Sequence, residues 1–472
     1  MDSSLVQALL HPPVYLTMNV TLFICGILVL MMQPGFMLFE AGSVSRKNAI
    51  NNIFKNVIDI CLCGMFFWWI GYNILSGQSV VNEFFVNIGL TRDLLNLVQI
   101  DPDAAEATTN ILPTEPVRAF FQLVFACTAV TITSGCVTGR VRPFHYIFFS
   151  VFFSTLVYPI AAFMVWHPDG LFFGVFRDFA GAAVVHALGG FAGLMGALML
   201  RPRLGYYRHG ADVYGDDVVD GLADSHQPHN IPLAALGVFL LWIGWFGYNS
   251  GTLFGHGVPE FTTLEADNIL SGLEAIFETF GQIMANTILA PCASVCLVTF
   301  LMLARQEELD MLLILNAAIA GLVSITAAAD VASPLSAVLI GSAAGVGLMV
   351  SVAAMAALRI DDPVGAFPAH GIAGIIGIIA AAFYPLDGKS VFEMLLSQTA
   401  VAAALILFSC LSAYLIFSTS RFILLFLHRV GVVHSLVPGF GKNLLRVSPD
   451  VELEGLDLHL HGRDAYNVYD NG

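Results

Sequence analysis

The sequence DFAGAAVVHALGGFAGLMGAL (178–198) is apolar enough to lie in a bilayer, yet it places His186 eight residues after Asp178. The stretch DPVGAFPAHGIAGIIGIIAAA (362–382) repeats this pattern, with His370 eight residues after Asp362. At an offset of 184 residues the identical positions include Asp178/Asp362, Gly181/Gly365, Ala182/Ala366, His186/His370, Gly190/Gly374 and Gly193/Gly377. Two copies at one offset predict an internal duplication in which each half brings one histidine into the membrane.

The composition indicates a membrane protein that crosses the bilayer several times. Of the 472 residues, 57% are hydrophobic and 11% are charged, and the mean hydropathy is +0.79. A soluble protein has roughly 25% charged residues. The acidic residues behind the net charge of −16 collect in loops and tails, so the charge predicts no basic partner, and no nucleic acid is expected. The eight cysteines lie almost wholly in apolar runs, which favours buried thiols over disulfides or metal ligands.

Transmembrane helices need about 20 apolar residues, and the sequence contains eleven such candidates. They are 15–39, 51–76, 117–138, 144–167, 179–200, 230–253, 273–304, 311–328, 334–357, 364–384 and 394–420. Backbone groups in lipid have to be hydrogen-bonded within the chain, which makes these spans helices. The predicted fold class is therefore an all-α polytopic membrane protein with eleven transmembrane helices.

The basic residues predict the orientation of these spans. All but four of the 19 lysines and arginines fall on one side, and the exceptions are Arg92, Arg118, Arg177 and Lys389. The side rich in basic residues is expected to be cytoplasmic, which places the N-terminus outside and the C-terminus inside.

In this topology the two histidine segments enter the membrane from opposite faces, as in a five-plus-five inverted repeat with one extra helix. We expect a membrane domain over 1–420, with repeats at about 15–200 and 230–384 and an eleventh helix at about 394–420. Residues 421–472 would form a cytoplasmic tail. Eight residues of helix rise about 12 Å, so both histidines should lie near the bilayer midplane, where inverted-repeat transporters bind their substrates.

The two histidines are the strongest candidates for function. Each could be a buried side chain bonded to a neighbouring helix, but a pair related by the duplication favours a functional role. Adjoining imidazoles could relay protons, because one ring nitrogen donates while the other accepts. A metal site is not predicted, because no third ligand is evident on the nearby turns.

Asp178 and Asp362 each precede a helix, where aspartate is a favoured N-cap, and Pro363 follows as a favoured first helical residue. Asp178 could also stabilise a cation by its charge, and the two roles are compatible. Aromatic residues near the predicted outer ends of spans could form an interfacial belt or a cation site. This group comprises Phe121, Phe125, Trp166 and Tyr248, and Thr252 could add a hydroxyl acceptor one turn after Tyr248.

Six motifs in order resemble the ammonium transporter family (Amt/Mep/Rh) over nearly the whole chain. They are MQPGFMLFEAGSVSRKN (32–48), FFQLVFA (120–126), DFAGAAVVH (178–186), HNIPLAALGVFLLWIGWFGYNSGT (229–252), DDPVGAFPAHG (361–371) and EGLDLHLHGRDAY (454–466). The first motif, which has Glu40 where an aromatic residue could stand, is more similar to the plant and bacterial Amt branch than to the Rh branch. The resemblance implies the eleven-helix inverted-repeat fold, a homotrimer in membrane lipid and one narrow apolar pore per subunit.

The resemblance also implies roles for single residues. The outer aromatic gate matches Phe121 and Phe125, and a pore phenylalanine of the family is Tyr248 here. The external ammonium site matches Phe125 and Trp166, with Thr252 where many members have serine. Asp178 matches the membrane aspartate of the family. His186 and His370 match its twin histidines. The tail is similar to the regulatory C-terminus of the family, and a PII-type signalling protein is a candidate partner at the cytoplasmic face.

We therefore expect a transporter in a plasma membrane or bacterial inner membrane that binds ammonium, separates its proton and passes ammonia through the pore. No cofactor is expected. Net electrogenic movement of ammonia plus a proton is favoured, and conduction of neutral ammonia is the alternative. An ammonium sensor that signals through its tail is a second interpretation. A membrane enzyme would need a nucleophile or metal set beside the histidines, and the sequence offers neither.

Overall fold

The computed structural model describes residues 12–77, 113–207, 226–255, 269–430 and 444–466. Most of the predicted outer loop therefore lies outside the described residues, as do parts of the loop after Leu200 and of the C-terminal tail. Within the described ranges the fold is all-helical, and an isolated antiparallel bridge joins Val141 to Arg446. This confirms the predicted all-α class.

The described α-helices up to Arg429, numbered in chain order, are α1 (Pro12–Leu30), α2 (Met32–Ser43), α3 (Ala49–Phe66), α4 (Tyr72–Leu75), α5 (Glu115–Val137), α6 (Pro143–Phe152), α7 (Tyr158–Trp166), α8 (Leu188–Leu200), α9 (Ile231–Gly255), α10 (Ile269–Ala304), α11 (Met311–Ile325), α12 (Pro334–Ala357), α13 (Ala373–Ala381) and α14 (Val391–Arg429). Two short helices follow in the tail, α15 (Pro449–Glu454) and α16 (Leu456–His461). Wider π-helical turns occur at Phe67–Gly71, Phe153–Val157, Ala182–Ala187 and Phe367–Ile372.

Nine helical runs among the described residues are long and apolar enough to cross a membrane, whereas Met311–Ile325 and Phe367–Ala381 are shorter apolar helices. Fifteen residues of helix span about 22 Å, less than a hydrocarbon core of roughly 30 Å. These two runs correspond to the predicted eighth and tenth spans. The count of eleven spans and the orientation of the termini remain predictions.

The two histidine segments have the same local structure. The π-helical turn Ala182–Ala187 leads into α8, and the π-helical turn Phe367–Ile372 leads into α13. Gly181 and Gly365 precede these turns with φ of 94° and 74°, a left-handed conformation that favours glycine. The duplication seen in the sequence is therefore present in the backbone as well.

These segments cross antiparallel, because each π-helical turn packs against the helix that follows the other turn. Small residues permit the crossing. A Cβ added at Gly190 would lie 2.6 Å from the backbone nitrogen of Gly371, and a Cβ at Gly374 would lie 3.2 Å from that of Ala187. Gly190 and Gly374 are 184 positions apart, as are Ala187 and Gly371, so the duplication relates the two contacts. The two segments are thus related by a local two-fold axis, whereas the full five-plus-five division remains a prediction.

The tail packs onto the ends of the helices through buried charges. The guanidinium of Arg446 is fully buried and donates to the backbone oxygens of Leu200 and Pro202, at 3.1 and 2.7 Å. It also donates to both carboxylate oxygens of Glu452, each at 2.7 Å. Residues 444–454 are therefore held against the C-terminal end of α8.

A second tail contact involves the start of α3. The carboxylate of Asp457 accepts hydrogen bonds from the backbone N–H groups of Ile50 and Asn51, both at 2.9 Å. The Lys47 ammonium donates to the backbone oxygen of Leu453 at 2.7 Å. The first N–H groups of a helix have no partner within the helix, so a residue some 400 positions later supplies the cap of α3.

The loop before His370 is fixed by a buried ion pair. The Arg203 guanidinium donates to both carboxylate oxygens of Asp361 at 2.8 Å, and Arg140 donates to the Asp361 backbone oxygen at 2.7 Å. Burial alone would raise the pKa of Asp361, but the charges of Arg203 and Arg140 outweigh it and hold this pKa well below its usual range. Arg177, which matches Asp361 at the 184-residue offset, pairs with Asp330 at 2.6 Å. Each histidine segment is therefore preceded by an ion pair, with the charges exchanged.

Candidate functional site

The imidazoles of His186 and His370 lie in direct contact where the two segments cross. Their Nδ1 atoms are 3.2 Å apart, the ring planes are 22° from parallel, and both side chains are buried. A hydrogen bond between two Nδ1 atoms requires one to carry a proton and the other to be bare. The neutral rings are therefore opposite tautomers, and a proton that crosses the pair exchanges their roles.

Aromatic rings surround the histidines. The indole of Trp245 stacks on His186, with centroids 5.0 Å apart and planes 16° from parallel, and its Nε1 donates to the Thr326 hydroxyl at 3.2 Å. Phe36 lies 5.9 Å from His370 between centroids. Neither Trp245 nor Phe36 is among the site residues predicted from the sequence. The position of Trp245, three residues before Tyr248 on one helix, was a signal that both share a face.

The four predicted aromatic residues form one cluster. The ring of Phe125 lies 4.6 Å from Phe121, 4.0 Å from Tyr248 and 6.4 Å from Trp166 between centroids. The first three side chains are fully buried and Trp166 is partly buried. Tyr248 also lies 5.4 Å from His186. The cluster is therefore continuous with the histidine pair.

Thr252 is buried one turn after Tyr248, and its hydroxyl donates to the Tyr248 backbone oxygen at 2.9 Å. This bond uses the hydroxyl proton and leaves the oxygen able to accept a hydrogen bond from another group. The geometry thus provides an acceptor on this helix face.

Asp178 acts as a backbone cap in this structure. Its carboxylate accepts the N–H groups of Gly181, Ala183 and Val184 at 3.2, 2.9 and 3.0 Å. The indole of Trp166 donates to the Asp178 backbone oxygen at 2.8 Å. The carboxylate therefore fixes the start of the His186 segment, and its peptide group positions the tryptophan of the cluster.

Asp362 has the matching position before His370. Its carboxylate accepts the N–H groups of Gly365 and Phe367 at 3.1 and 2.7 Å. Within the described ranges, no group of three or more histidine, cysteine, aspartate or glutamate side chains is arranged to hold a metal ion. The site therefore consists of an aromatic cluster, a capped helix start and two imidazoles.

Comparison with known proteins identifies the family. The family model described as the Ammonium Transporter Family matches residues 20–466. The chain is 32% identical over 459 residues to sll1017 of Synechocystis sp., covering 96% of this chain and 90% of that protein. It is 31% identical over 454 residues to the ammonium transporter Amt2 of Archaeoglobus fulgidus, covering 94% of this chain and 86% of that protein.

Among solved structures, one titled "Sensor Amt Protein" superimposes with a TM-score of 0.71 at 27% identity, covering 95% of this chain and 99% of that one. The crystal structure of Saccharomyces cerevisiae Mep2 shares the fold, with a TM-score of 0.68 at 22% identity. The family consists of transporters and channels, not enzymes. With a family model that spans nearly the whole chain and relatives above 30% identity, this multi-pass membrane protein belongs to the Ammonium Transporter Family.

Proposed function

We propose that the chain moves ammonium across a plasma membrane or bacterial inner membrane through a pore within each subunit. Ammonium binds at an outer site formed by the rings of Phe125 and Trp166 and the hydroxyl of Thr252, with the charge of Asp178 nearby. Aromatic faces attract ammonium-like cations, and a hydroxyl oxygen replaces part of the hydration shell. The rings of Phe121, Phe125 and Tyr248 then gate the pore.

One observation carries this proposal: the buried imidazoles of His186 and His370, with their Nδ1 atoms 3.2 Å apart, lie directly beside the aromatic cluster. Moving a charge through an apolar pore costs several kcal/mol or more. Separating the proton lowers this cost, because neutral ammonia follows the apolar path while the histidine pair passes the proton. Potassium has no proton to release, so a pore of this kind rejects it.

We also propose that net uptake is electrogenic, with conduction of neutral ammonia as the mechanistic alternative. The chain crosses the membrane eleven times in a five-plus-five inverted repeat, with the N-terminus outside and the tail in the cytoplasm. It forms a homotrimer surrounded by lipid, and a PII-type protein is the candidate partner at the cytoplasmic face. Likeness to the family supports these features.

The test is the current evoked by ammonium on a supported membrane that carries the purified full chain. We expect a current with ammonium and none with potassium, and its loss in His186→Asp and His370→Asp. His459→Asp makes the same substitution at an exposed position of the tail and is the control that should keep the current. Equal currents in all three variants would contradict a role for the histidine pair.

An ammonium sensor is the second candidate, and two observations favour it. A structure titled "Sensor Amt Protein" resembles this chain at a TM-score of 0.71. In addition, the tail contacts both the α8 end and the α3 start through buried groups. Saturable ammonium binding without any current in the unsubstituted protein would support sensing over transport.

A further inference from the structure

The hydroxyl of Tyr248 is buried and has no hydrogen-bond partner among the described residues. Two other tyrosines are fully buried in the described part of the chain, and both have a partner. Tyr158 donates to the Gln122 side-chain oxygen at 2.6 Å, and Tyr146 donates to the carboxylate of Asp59. A hydroxyl buried without a partner is costly. The Tyr248 oxygen is therefore an exception that a bound molecule would explain.

The Tyr248 hydroxyl lies next to Gly181. A Cβ added at Gly181 would lie 3.3 Å from the Tyr248 hydroxyl oxygen and 3.3 Å from the end of the Trp166 indole. The Gly181 N–H is already bonded to the carboxylate of Asp178, so the nearby backbone does not satisfy the hydroxyl. The oxygen thus faces the space beside the start of the His186 segment, next to Trp166.

The His186 ring supplies a second unpartnered group close by. Its Nε2 is buried and has no hydrogen-bond partner in the described part of the chain, because its contact with His370 is made through Nδ1. The rings of His186 and Tyr248 lie 5.4 Å apart between centroids. The Tyr248 hydroxyl and the His186 Nε2 atom, both without partners among the described residues, therefore lie on neighbouring rings.

We propose that the Tyr248 hydroxyl is a hydrogen-bonding group for the permeant and sets the affinity of this pore for ammonium. The inference rests on the proposed function and deepens it. The phenol oxygen accepts an N–H from ammonium that has lost its water at the aromatic gate. The same hydroxyl donates its proton to the lone pair of ammonia. One group thus holds both forms of the substrate on either side of proton release, whereas phenylalanine holds neither in this way.

The test is Tyr248→Phe, which keeps the ring and removes the oxygen. Hydrogen bonds to charged groups are among the stronger ones, so the ammonium concentration for half-maximal current should rise about 10-fold or more. The half-maximal concentration for thermal stabilisation by ammonium should rise in parallel, since bound ligand stabilises the folded state. This second readout does not depend on conduction.

Tyr158→Phe is the matched control, because it removes a buried hydroxyl that has a partner. It should lower the melting temperature and leave the half-maximal ammonium concentration unchanged. Tyr248→Phe should show the reverse, with a melting temperature equal to or above that of the unsubstituted protein in the absence of ammonium. Unchanged half-maximal concentrations in Tyr248→Phe would overturn the inference. Absence of both current and stabilisation in the unsubstituted chain would instead refute the proposed function.

Discussion

The close crossing of the histidine segments makes Gly190→Ala a direct test of how packing controls the proposed pore. The new Cβ would lie 2.6 Å from the backbone nitrogen of Gly371 and 2.7 Å from its Cα. Atoms of this kind pack at about 3.5–4.0 Å, so the segments have to separate by about 1 Å. The Nδ1 atoms of His186 and His370, now 3.2 Å apart, would then be about 4 Å apart, beyond hydrogen-bonding distance.

We expect Gly190→Ala to destabilise the protein by about 1–3 kcal/mol, as overpacked cores do, and to reduce the ammonium-evoked current more than tenfold. Gly374→Ala should behave alike, since its Cβ would meet the Ala182 backbone oxygen at 2.5 Å. Gly281→Ala is the control, because a Cβ there has no neighbour within 4 Å. Thermal unfolding in detergent and solid-supported-membrane currents would measure both effects. Native stability and current in Gly190→Ala would refute the reasoning.

Two further predictions concern the buried charges. Asp361→Asn leaves the buried Arg203 without its counter-charge and should cost about 3–5 kcal/mol, measured by thermal unfolding. Because the pKa of Asp361 is lowered in the folded state, its stabilisation is complete above the unfolded pKa of about 3.9 and lost only as pH falls through the folded value. The difference in unfolding free energy between the unsubstituted protein and Asp361→Asn should therefore be constant between pH 5 and 8. A change in this difference over that range would contradict the lowered pKa of Asp361. Glu452→Gln leaves the buried Arg446 without its counter-charge, so proteolysis within 444–466 should accelerate about tenfold or more. Glu454→Gln, at an exposed position, should have no such effect.

Local patterns in the sequence predicted the helices and the histidine pair well. Apolar runs of about 20 residues predicted most of the helical runs, because lipid leaves the backbone no other partner. The shared offset of Asp178 and His186 with Asp362 and His370 predicted a duplication, and the structure brings the two imidazoles into contact. Each pattern depends on residues close together in the chain.

Contacts between distant residues could not be predicted in the same way. Lys55 was counted among the basic residues that indicate the cytoplasmic side, yet it is buried in α3 and lies 3.7 Å from Glu40. Trp245 stacks on His186 across 59 positions of sequence, and hydropathy treats it as one more apolar residue. Capping by Asp457 joins elements from opposite ends of the chain. Such pairs depend on how helices pack, which periodicity does not encode.

The cap that Asp457 provides to α3 has a consequence for biosynthesis. The N–H groups of Ile50 and Asn51 emerge from the ribosome early, but the carboxylate that accepts their hydrogen bonds is translated some 400 residues later. Helices can insert as they are made, yet the start of α3 is completed only after some 400 further residues have been translated. We therefore expect a nascent chain stopped before Asp457 to expose this helix end to proteases.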